Sequence, residues 1–406
     1  MTSPQFVQSV ASAQSIKNVA SLKSSRANRP AILHLAPDLE VGWAAREVID
    51  LGVQTHRGQW RPFVASSGGS LVIEAERTAV RHVRMPIDKR GLISRWRTRV
   101  QLEALIQRER PVLLHAHGFA MIAPALKLTM AKKLPLLLDL THPIPVTPAR
   151  QKLLQAASAR GAYFRVPTDY MVRHLRQDFQ LATEHLYRIL PGIDLSWYDP
   201  QRVTPERIQT LSALWRLPEQ GSVIVMGLPF APGSGHKELL DALVLLKRPD
   251  LFAVLVGDDR TAPGARAEIE KLIHAKGLAG KVIMPDRCVD WPAACWLASF
   301  IVAPNTIPRG QGLELLAAQA MGRPVIVTEN GANPEMVKAG ETAWVIPSGH
   351  VPSLASALDE AIQLSGERRI DLALATRAFV AENFPQEVWS ASLFELYNIM
   401  LGTQPS

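Results

Sequence analysis

Residues 304–337 read PNTIPRGQGLELLAAQAMGRPVIVTENGANPEMV, and this stretch decides the fold. Gly310 and Gly312 form a glycine-rich turn, and the apolar run behind it, residues 313–321, predicts a short helix. Gly322 is expected to end that helix, because glycine readily adopts the left-handed conformation found after helices, and Pro324 prevents its continuation. The β-branched residues that follow, up to position 328, predict a buried strand.

A second glycine turn repeats this arrangement. Asn330 and Gly331 predict a tight turn after the strand, and a second helix is expected to follow. Strand, glycine turn and helix, occurring twice, direct two helix N-termini and bare backbone N–H groups toward one point. Because α/β proteins hold nucleotide phosphates in this way, the stretch predicts a nucleotide-binding site.

These residues resemble the nucleotide-sugar-binding signature of retaining GT-B glycosyltransferases, most closely those of family 4. The positions that carry the resemblance are Gly310, Gly312, Leu313, Ala318, Ala320, Gly322, Pro324 and Val325. The residues PGID at 191–194 are also similar to the interdomain linker of that family. The resemblance implies an α/β fold with two Rossmann-like, doubly wound parallel-sheet domains and a cleft between them.

The resemblance also implies the domain boundaries. The acceptor-side domain is expected at 30–200, joined by a returning C-terminal helix at about 386–401, and the nucleotide-sugar domain at 201–385. Residues 1–29 contain no acidic residue and no apolar central run, which favours a disordered leader over a secretory or organelle-targeting segment.

Site residues follow by position in the same resemblance. The two implied catalytic residues are His142, near the anomeric carbon of the donor, and Glu335, after the second glycine turn. The candidate donor-binding residues are Gly257, Asp258, Gly310, Gly312, Asn330 and Gly331, together with Lys237, Arg309 and Glu314, which could substitute for donor-binding residues that the family carries and this chain lacks.

Four donor-site positions depart from the family pattern. The family carries two glutamates, seven residues apart, at the positions that hold Arg309 and Ala317 here. Its diphosphate-binding Arg and Lys correspond to about Pro229 and Ser234, where neighbouring His236 and Lys237 could substitute. Losing a carboxylate acceptor for ligand hydroxyls costs about 1–3 kcal/mol, and four departures together indicate a systematic change.

The acceptor side is implied by a glycine and two histidines. Gly42 corresponds to the N-terminal glycine loop of the family, in which Trp43 replaces the usual second glycine. His115 and His117 end a predicted strand and point to the same face, because strand side chains alternate. They could bind a metal, but no third ligand is expected nearby, so lining of the cleft is preferred over a metal site.

Composition limits the partners. A net charge of +8 and a pI near 9.6 favour an anionic partner, such as a nucleotide diphosphate or an anionic lipid. Nucleic acid is not expected, because no RNA- or DNA-binding module is present. Two cysteines without metal spacing indicate buried thiols in a reducing, cytoplasmic setting, and no cofactor or metal is expected beyond the nucleotide-sugar co-substrate.

Residues 89–110, KRGLISRWRTRVQLEALIQRER, predict a basic helix that carries a tryptophan. Such a helix can lie on an anionic membrane surface, and an ordinary core-facing helix is the alternative interpretation. No apolar run approaches the roughly 20 residues needed to span a bilayer.

Two functions remain open at this point. The first is a glycosyltransferase that moves a hexose from a nucleotide-sugar to a saccharide or lipid-linked acceptor, as in cell-surface polysaccharide or lipopolysaccharide synthesis. The second is a GT-B-shaped protein without activity that binds or scaffolds an active transferase. A sugar-phosphate epimerase of the same fold is a weaker third alternative.

Overall fold

The computed structural model describes residues 29–87 and 91–403, so the predicted leader at 1–28 lies outside the described residues. Contacts divide the chain into two compact units. Unit 1 comprises the chain up to Leu190 together with the C-terminal segment from Glu387, and unit 2 comprises Pro191–Gln386.

Unit 1 is built on a seven-stranded parallel sheet of order β3-β2-β1-β4-β5-β6-β7. Its strands are β1 (Ala31–Leu35), β2 (Arg61–Ser66), β3 (Arg81–Arg84), β4 (Leu113–His117), β5 (Leu136–Asp139), β6 (Tyr163–Val166) and β7 (Leu186–Arg188). Its helices are α1 (Trp43–Arg57), α2 (Val72–Arg77), α3 (Leu92–Glu109), α4 (Ile122–Lys132), α5 (Pro148–Ser158), α6 (Asp169–Phe179) and α14 (Gln386–Leu401).

Unit 2 contains a six-stranded parallel sheet of order β10-β9-β8-β11-β12-β13. Its strands are β8 (Ser222–Met226), β9 (Leu251–Leu255), β10 (Val282–Ile283), β11 (Phe300–Ala303), β12 (Val325–Thr328) and β13 (Ala343–Ile346). Its helices are α7 (Pro205–Trp215), α8 (His236–Leu246), α9 (Ala265–Ala275), α10 (Trp291–Leu297), α11 (Leu313–Ala320), α12 (Val351–Gln363) and α13 (Gly366–Asn383).

The central strands are short apolar runs buried on both faces and joined by helices, as is typical of parallel sheets, whereas the edge strands β3 and β7 are less buried. In unit 1, one face of the sheet packs against α3, α4, α5 and α6, and apolar residues of α1 and α14 cover part of the other. Leu393 and Tyr397 of α14 are fully buried in that second cluster, so the C-terminal helix belongs to the core of unit 1.

Residues 304–337 fold largely as predicted. Helix α11 is followed by Gly322 in the left-handed region, with φ +69°, and strand β12 begins at Val325. The predicted second helix was wrong, because Asn333–Met336 forms only a 3-10 turn and Val337 is extended. The Asn333 side chain anchors this segment to neighbouring loops, and Val337 then leads away from a helical path.

Candidate functional site

The strand order of unit 2 reverses between β8 and β11, and the loops after these strands meet there. A Cβ atom on Gly235 would lie 2.2 Å from the carbonyl oxygen of Pro304. The N–H of Thr306 donates to the carbonyl oxygen of Gly233 at 2.8 Å. In open α/β sheets, ligands bind beyond the carboxyl ends of the strands at such a reversal.

The second glycine turn, at Asn330 and Gly331, packs against the backbone of the first turn at Arg309. Gly331 has φ +62°, and a Cβ atom there would lie 2.5 Å from both the backbone nitrogen and the carbonyl oxygen of Arg309. The N–H of Ala332 donates to that same carbonyl oxygen at 2.8 Å. Gly331 is therefore required for packing against Arg309, while the half-buried Asn330 side chain faces Ser348 at 3.4 Å.

Two asparagines that the sequence analysis missed connect the loops of this edge. Asn333 donates to Asn305 Oδ1 at 2.9 Å, and the Thr328 hydroxyl donates to the carbonyl oxygen of Asn305 at 2.8 Å. Ser348 reaches that carbonyl oxygen at 3.4 Å. The loops after β11, β12 and β13 are thus fixed by buried polar side chains. An asparagine in a short loop that follows a buried strand is the sequence signal that could have revealed this.

Arg309 and Glu314 form an ion pair on the first glycine turn and the start of α11. The Arg309 Nε atom lies 3.4 Å from Glu314 Oε1, and both atoms are buried without a hydrogen-bond partner. Glu314 is 2% exposed, and burial raises the pKa of its carboxyl group while the charge of Arg309 opposes that rise. The pair therefore keeps unused hydrogen-bonding capacity at the N-terminus of a helix.

Two helix N-termini at this edge lack side-chain caps. Gly312 precedes α11 and Gly235 precedes α8, and neither helix receives a hydrogen bond from a capping side chain. The N–H groups of such a terminus attract anions. His236, the first residue of α8, is 3% exposed, and neither ring nitrogen has a hydrogen-bond partner.

The remaining predicted donor residues differ in exposure. Burial lowers the pKa of His236 to about 4, so at neutral pH it can donate a hydrogen bond but carries no charge for a diphosphate. Lys237 is exposed. Gly257 packs against Leu228, because a Cβ atom would lie 2.2 Å from its carbonyl oxygen. Asp258 is paired with Arg260 at 2.9 Å in its own loop.

The two predicted catalytic residues lie in different units. Glu335 is half-buried in the 3-10 turn of unit 2. His142 is an exposed residue after β5 in unit 1, with its Nδ1 atom 2.9 Å from the Thr141 hydroxyl. Gly42 precedes α1 with extended backbone, and a Cβ atom there would meet only the carbonyl oxygen of Glu40, at 3.9 Å.

The two predicted acceptor-side histidines are core residues of unit 1. His115 is fully buried and His117 is 8% exposed. The expectation that no third ligand lies nearby was wrong, because His34 of β1 is also buried beside them. β1 and β4 are neighbours in the sheet and His34 is in register with His115, a contact that sequence separation conceals.

A buried ionic network that the sequence analysis also missed continues from these histidines. The fully buried Arg165 binds Asp139 at 3.0 Å and Glu47 at 2.8 Å. Asp139 lies 3.7 Å from His115 Nε2 and 3.6 Å from His117 Nδ1. Burial opposes ionisation of Asp139, but Arg165 outweighs it and holds the pKa of that carboxyl group well below its usual range.

Comparisons with known proteins identify the class. Residues 44–197 match the model of "Glycosyltransferase Family 4" and residues 221–363 match that of "Glycosyl transferases group 1". The two matches together cover more than half of the chain, which belongs to this glycosyltransferase family.

The fold is shared with solved structures. A glycosyltransferase from Rickettsia africae covers 93% of this chain and all of its own, with a TM-score of 0.79 and 19% identity. Anabaena Alr3699/HepE in complex with UDP and glucose covers 90% of this chain and 99% of its own, with a TM-score of 0.78 and 19% identity. The predicted GT-B fold is confirmed.

Curated relatives are similar over only part of their length. D-inositol 3-phosphate glycosyltransferase from Jonesia denitrificans is 27% identical over 48% of this chain and 47% of its own length. The GDP-mannose-dependent alpha-(1-6)-phosphatidylinositol monomannoside mannosyltransferase from Mycobacterium tuberculosis is 27% identical over 50% of this chain and 53% of its own. The chain thus spans about half the length of the curated relatives it matches.

The described helices also bear on whether the chain crosses a membrane. Within residues 29–87 and 91–403, no helix is both long enough and apolar enough to cross a bilayer.

Proposed function

We propose that this glycosyltransferase transfers a hexose from a nucleotide-sugar, with retention at the anomeric carbon, and that the donor diphosphate binds at the strand reversal of unit 2. The observation that carries this proposal is the Arg309–Glu314 pair, whose buried Nε and Oε1 atoms lack hydrogen-bond partners beside the N-terminus of α11. Unsatisfied buried polar groups are costly in a folded protein, and a ligand that satisfies them regains that free energy.

The positive charge of Arg309 suits the diphosphate of a nucleotide-sugar, and the carboxylate of Glu314 suits its hydroxyl groups. Arg309 occupies the first glutamate position of the family signature, where its guanidinium can bind a phosphate oxygen through charge-assisted hydrogen bonds. Glu314 can accept hydrogen bonds from sugar or ribose hydroxyls. Helix α11 begins after Gly312 without a capping side chain, so its N-terminal dipole can stabilise charge that develops on the leaving diphosphate without a metal.

The names of relatives and of proteins with the same fold support the proposed donor and acceptor classes. HepE was crystallised with UDP-glucose, and the mycobacterial relatives are named for GDP-mannose and a phosphatidylinositol mannoside. WaaG, of similar fold, is named for lipopolysaccharide biosynthesis. We therefore propose a saccharide or lipid-linked acceptor in cell-surface polysaccharide or lipopolysaccharide synthesis.

Thermal shift with UDP-glucose, GDP-mannose and the free nucleotides tests donor binding. Arg309→Ala should weaken the affinity for the effective donor by about 10- to 100-fold, since hydrogen bonds to charged groups contribute about 1.5–3 kcal/mol. Lys271→Ala, which removes an exposed lysine of α9, is the matched control and should bind normally. Absence of a shift with every donor, or normal binding by Arg309→Ala, would contradict the proposal.

A second candidate is the binding or scaffold partner without transferase activity. It is favoured by the loss of the carboxylate at Ala317 and of the charged groups at Pro229 and Ser234. A protein that binds no donor yet co-purifies with an active transferase would support this alternative over the first.

Helix α3 has an exposed face that combines apolar and basic side chains and could contact the membrane that holds a lipid-linked acceptor. Ile93, Trp96 and Val100 are 71%, 64% and 43% exposed at helical spacing, opposite the buried Leu102 and Leu105. Arg97 and Arg99 are exposed on the same helix, while Lys89 and Arg90 lie outside the described residues. We propose that this face lies on an anionic, cytoplasmic membrane surface.

Co-sedimentation with vesicles tests the membrane proposal. Binding should require phosphatidylglycerol, decrease with salt, and be lost in the double variant Ile93→Ser, Trp96→Ala. Leu214→Ser, at a 70% exposed leucine of unit 2, is the control. Equal recovery of wild type and double variant on anionic vesicles would exclude α3 as the contact.

A further inference from the structure

Three imidazoles converge at the strand reversal of unit 1. His34 and His115 are opposite each other on β1 and β4, and His117 lies two residues further along β4 on the same face. One ring nitrogen from each histidine lies within 4.8 Å of one from each of the others. His34 Nδ1 is 3.1 Å from His117 Nε2.

These spacings suit a divalent transition metal. Zinc binds histidine nitrogens at about 2.0–2.1 Å in tetrahedral geometry, which places two ligand nitrogens about 3.3 Å apart. The distance of 3.1 Å between His34 and His117 is close to that value. The ligand nitrogens of the three histidines all lie within 4.8 Å of one another, so no pair would have to approach by more than about 1.5 Å to reach that spacing.

Two ring nitrogens in the cluster are buried without hydrogen-bond partners, His34 Nε2 and His115 Nε2. His115 Nδ1 is held at 2.8 Å from the Tyr397 hydroxyl, so Nε2, which lies 3.7 Å from Asp139 Oδ2, is the nitrogen left for a metal. Metal-ligating histidines generally use one nitrogen for the metal and the other for a polar partner, which fixes the tautomer. His115 has this arrangement, with Tyr397 as the polar partner.

The surroundings also favour a cation. Asp139 lies 3.6 Å from His117 Nδ1, in the position of the carboxylate that commonly orients a zinc-bound histidine. The buried charges of Asp139, Glu47 and Arg165 sum to one negative charge. A divalent ion on neutral imidazoles would offset that charge in a region from which water is largely excluded.

We propose that His34, His115 and His117 bind one zinc ion, or a similar divalent transition metal, in unit 1. Imidazole ligands suit such metals rather than magnesium or calcium, which prefer oxygen. Three protein ligands leave a fourth position for water or a further donor. Asp139 and Tyr397 act as positioning residues for His117 and His115.

The alternative is a metal-free hydrogen-bonded cluster. In that arrangement Tyr397 donates to His115 Nδ1, and His34 Nδ1–H donates to His117 Nε2. Both imidazoles of β4 would donate to Asp139 over distances of 3.6–3.7 Å, which are long for hydrogen bonds. This outcome predicts no dependence on metal.

The test uses the full-length, tag-free protein, stripped with a chelator and then titrated with Zn²⁺ or Co²⁺. We expect one equivalent of metal per chain to remain after gel filtration and the visible absorption of tetrahedral Co²⁺ to appear. At about one hundred times the dissociation constant, Zn²⁺ should raise the Tm by about 5–10 °C.

Two variants locate the metal. His117→Gln and His34→Gln should each lose the Co²⁺ absorption and the Tm rise. His82→Gln, on β3 of the same sheet and bonded to the Ser66 hydroxyl at 2.9 Å, should keep both. Should a ligand variant fail to fold, the wild-type titration still decides. A wild-type protein that retains no metal and shows no Tm rise overturns the proposal, as does equal retention by all three variants.

Discussion

Each of the two sheets reverses its strand order once. The two reversals differ in what occupies them, which is side chains in unit 1 and glycine turns in unit 2. In unit 1 the imidazoles of His34, His115 and His117 fill the reversal and lie against the buried ion pair of Asp139 and Arg165. In unit 2 it is formed by glycine turns whose backbones touch, and Arg309, Glu314 and His236 keep buried atoms without partners. The same topology therefore gives one site filled by its own side chains and one with capacity left for an organic ligand.

The comparison predicts that damage to unit 1 affects folding first, whereas damage to unit 2 affects donor binding. The variants below separate these effects, from the largest to the smallest.

Arg165→Met should destabilise the protein most. It leaves the buried carboxylates of Asp139 and Glu47 without a counter-charge, which costs about 3–5 kcal/mol. Urea denaturation should show this loss, with donor affinity of the folded fraction unchanged. Arg173→Ala, on the exposed surface of α6, should change the free energy of unfolding by less than about 0.5 kcal/mol. A mild effect of Arg165→Met would mean that the ionic network is not essential for unit 1.

Acidification should test the buried histidine of unit 2. The pKa of His236 is about 4 in the folded protein and about 6.5 in an unfolded chain, so the unfolded state binds the proton first. His236 thus lowers stability progressively as the pH falls from about 6.5 to 4, by about 3 kcal/mol at the end of that range.

His236→Gln should reduce the acid sensitivity by that amount, measured as the difference between urea midpoints of variant and wild type across the range. His274→Gln, on the outer surface of α9, is the control. Parallel pH profiles for wild type and His236→Gln would contradict this prediction, because they would show that protonation of His236 does not lower the free energy of unfolding.

Alanine substitutions at two glycines of similar φ distinguish the cost of backbone strain from the cost of a steric contact. Gly331 has φ +62° and Gly340 has φ +75°, but only Gly331 would bring a Cβ atom onto the Arg309 backbone. Gly340→Ala should cost about 1–2 kcal/mol from backbone strain alone. Gly331→Ala should cost more and should also weaken donor binding about tenfold, measured by calorimetry. Equal donor affinity in the two variants would contradict a role for the Arg309 turn.

Glu314→Gln should have the smallest effect on stability, and of opposite sign. Burial disfavours the Glu314 carboxylate, so an amide of the same shape should stabilise the fold by up to about 1 kcal/mol at pH 7. Donor affinity should fall at the same time, because an acceptor for hydroxyls is lost. A variant that gains stability and retains full affinity would leave Glu314 without a role in binding.

Much of the fold could be predicted from the sequence, because its signals are local. The helix over 313–320, its glycine stop at Gly322 and the strand that follows depend on apolar periodicity and backbone freedom within a few residues. The 3-10 turn found in place of the expected second helix could not be predicted, because the Asn333 side chain bonds to Asn305, from a loop that lies earlier in the chain.

The sequence by itself determined the two parallel sheets, the glycine turns and the resemblance to a nucleotide-sugar enzyme. Only the tertiary structure decided which side chains meet. His34 and His115 lie 81 positions apart in the sequence and become neighbours because β1 and β4 pair in register. The sequence indicates Arg309 as a departure from the family pattern and Glu314 as a candidate donor-binding residue. The burial of Arg309 Nε and Glu314 Oε1, and hence their unused hydrogen-bonding capacity, depends on the loops packed around them. Local propensity acts over a few residues, whereas burial and pairing are properties of the assembled fold.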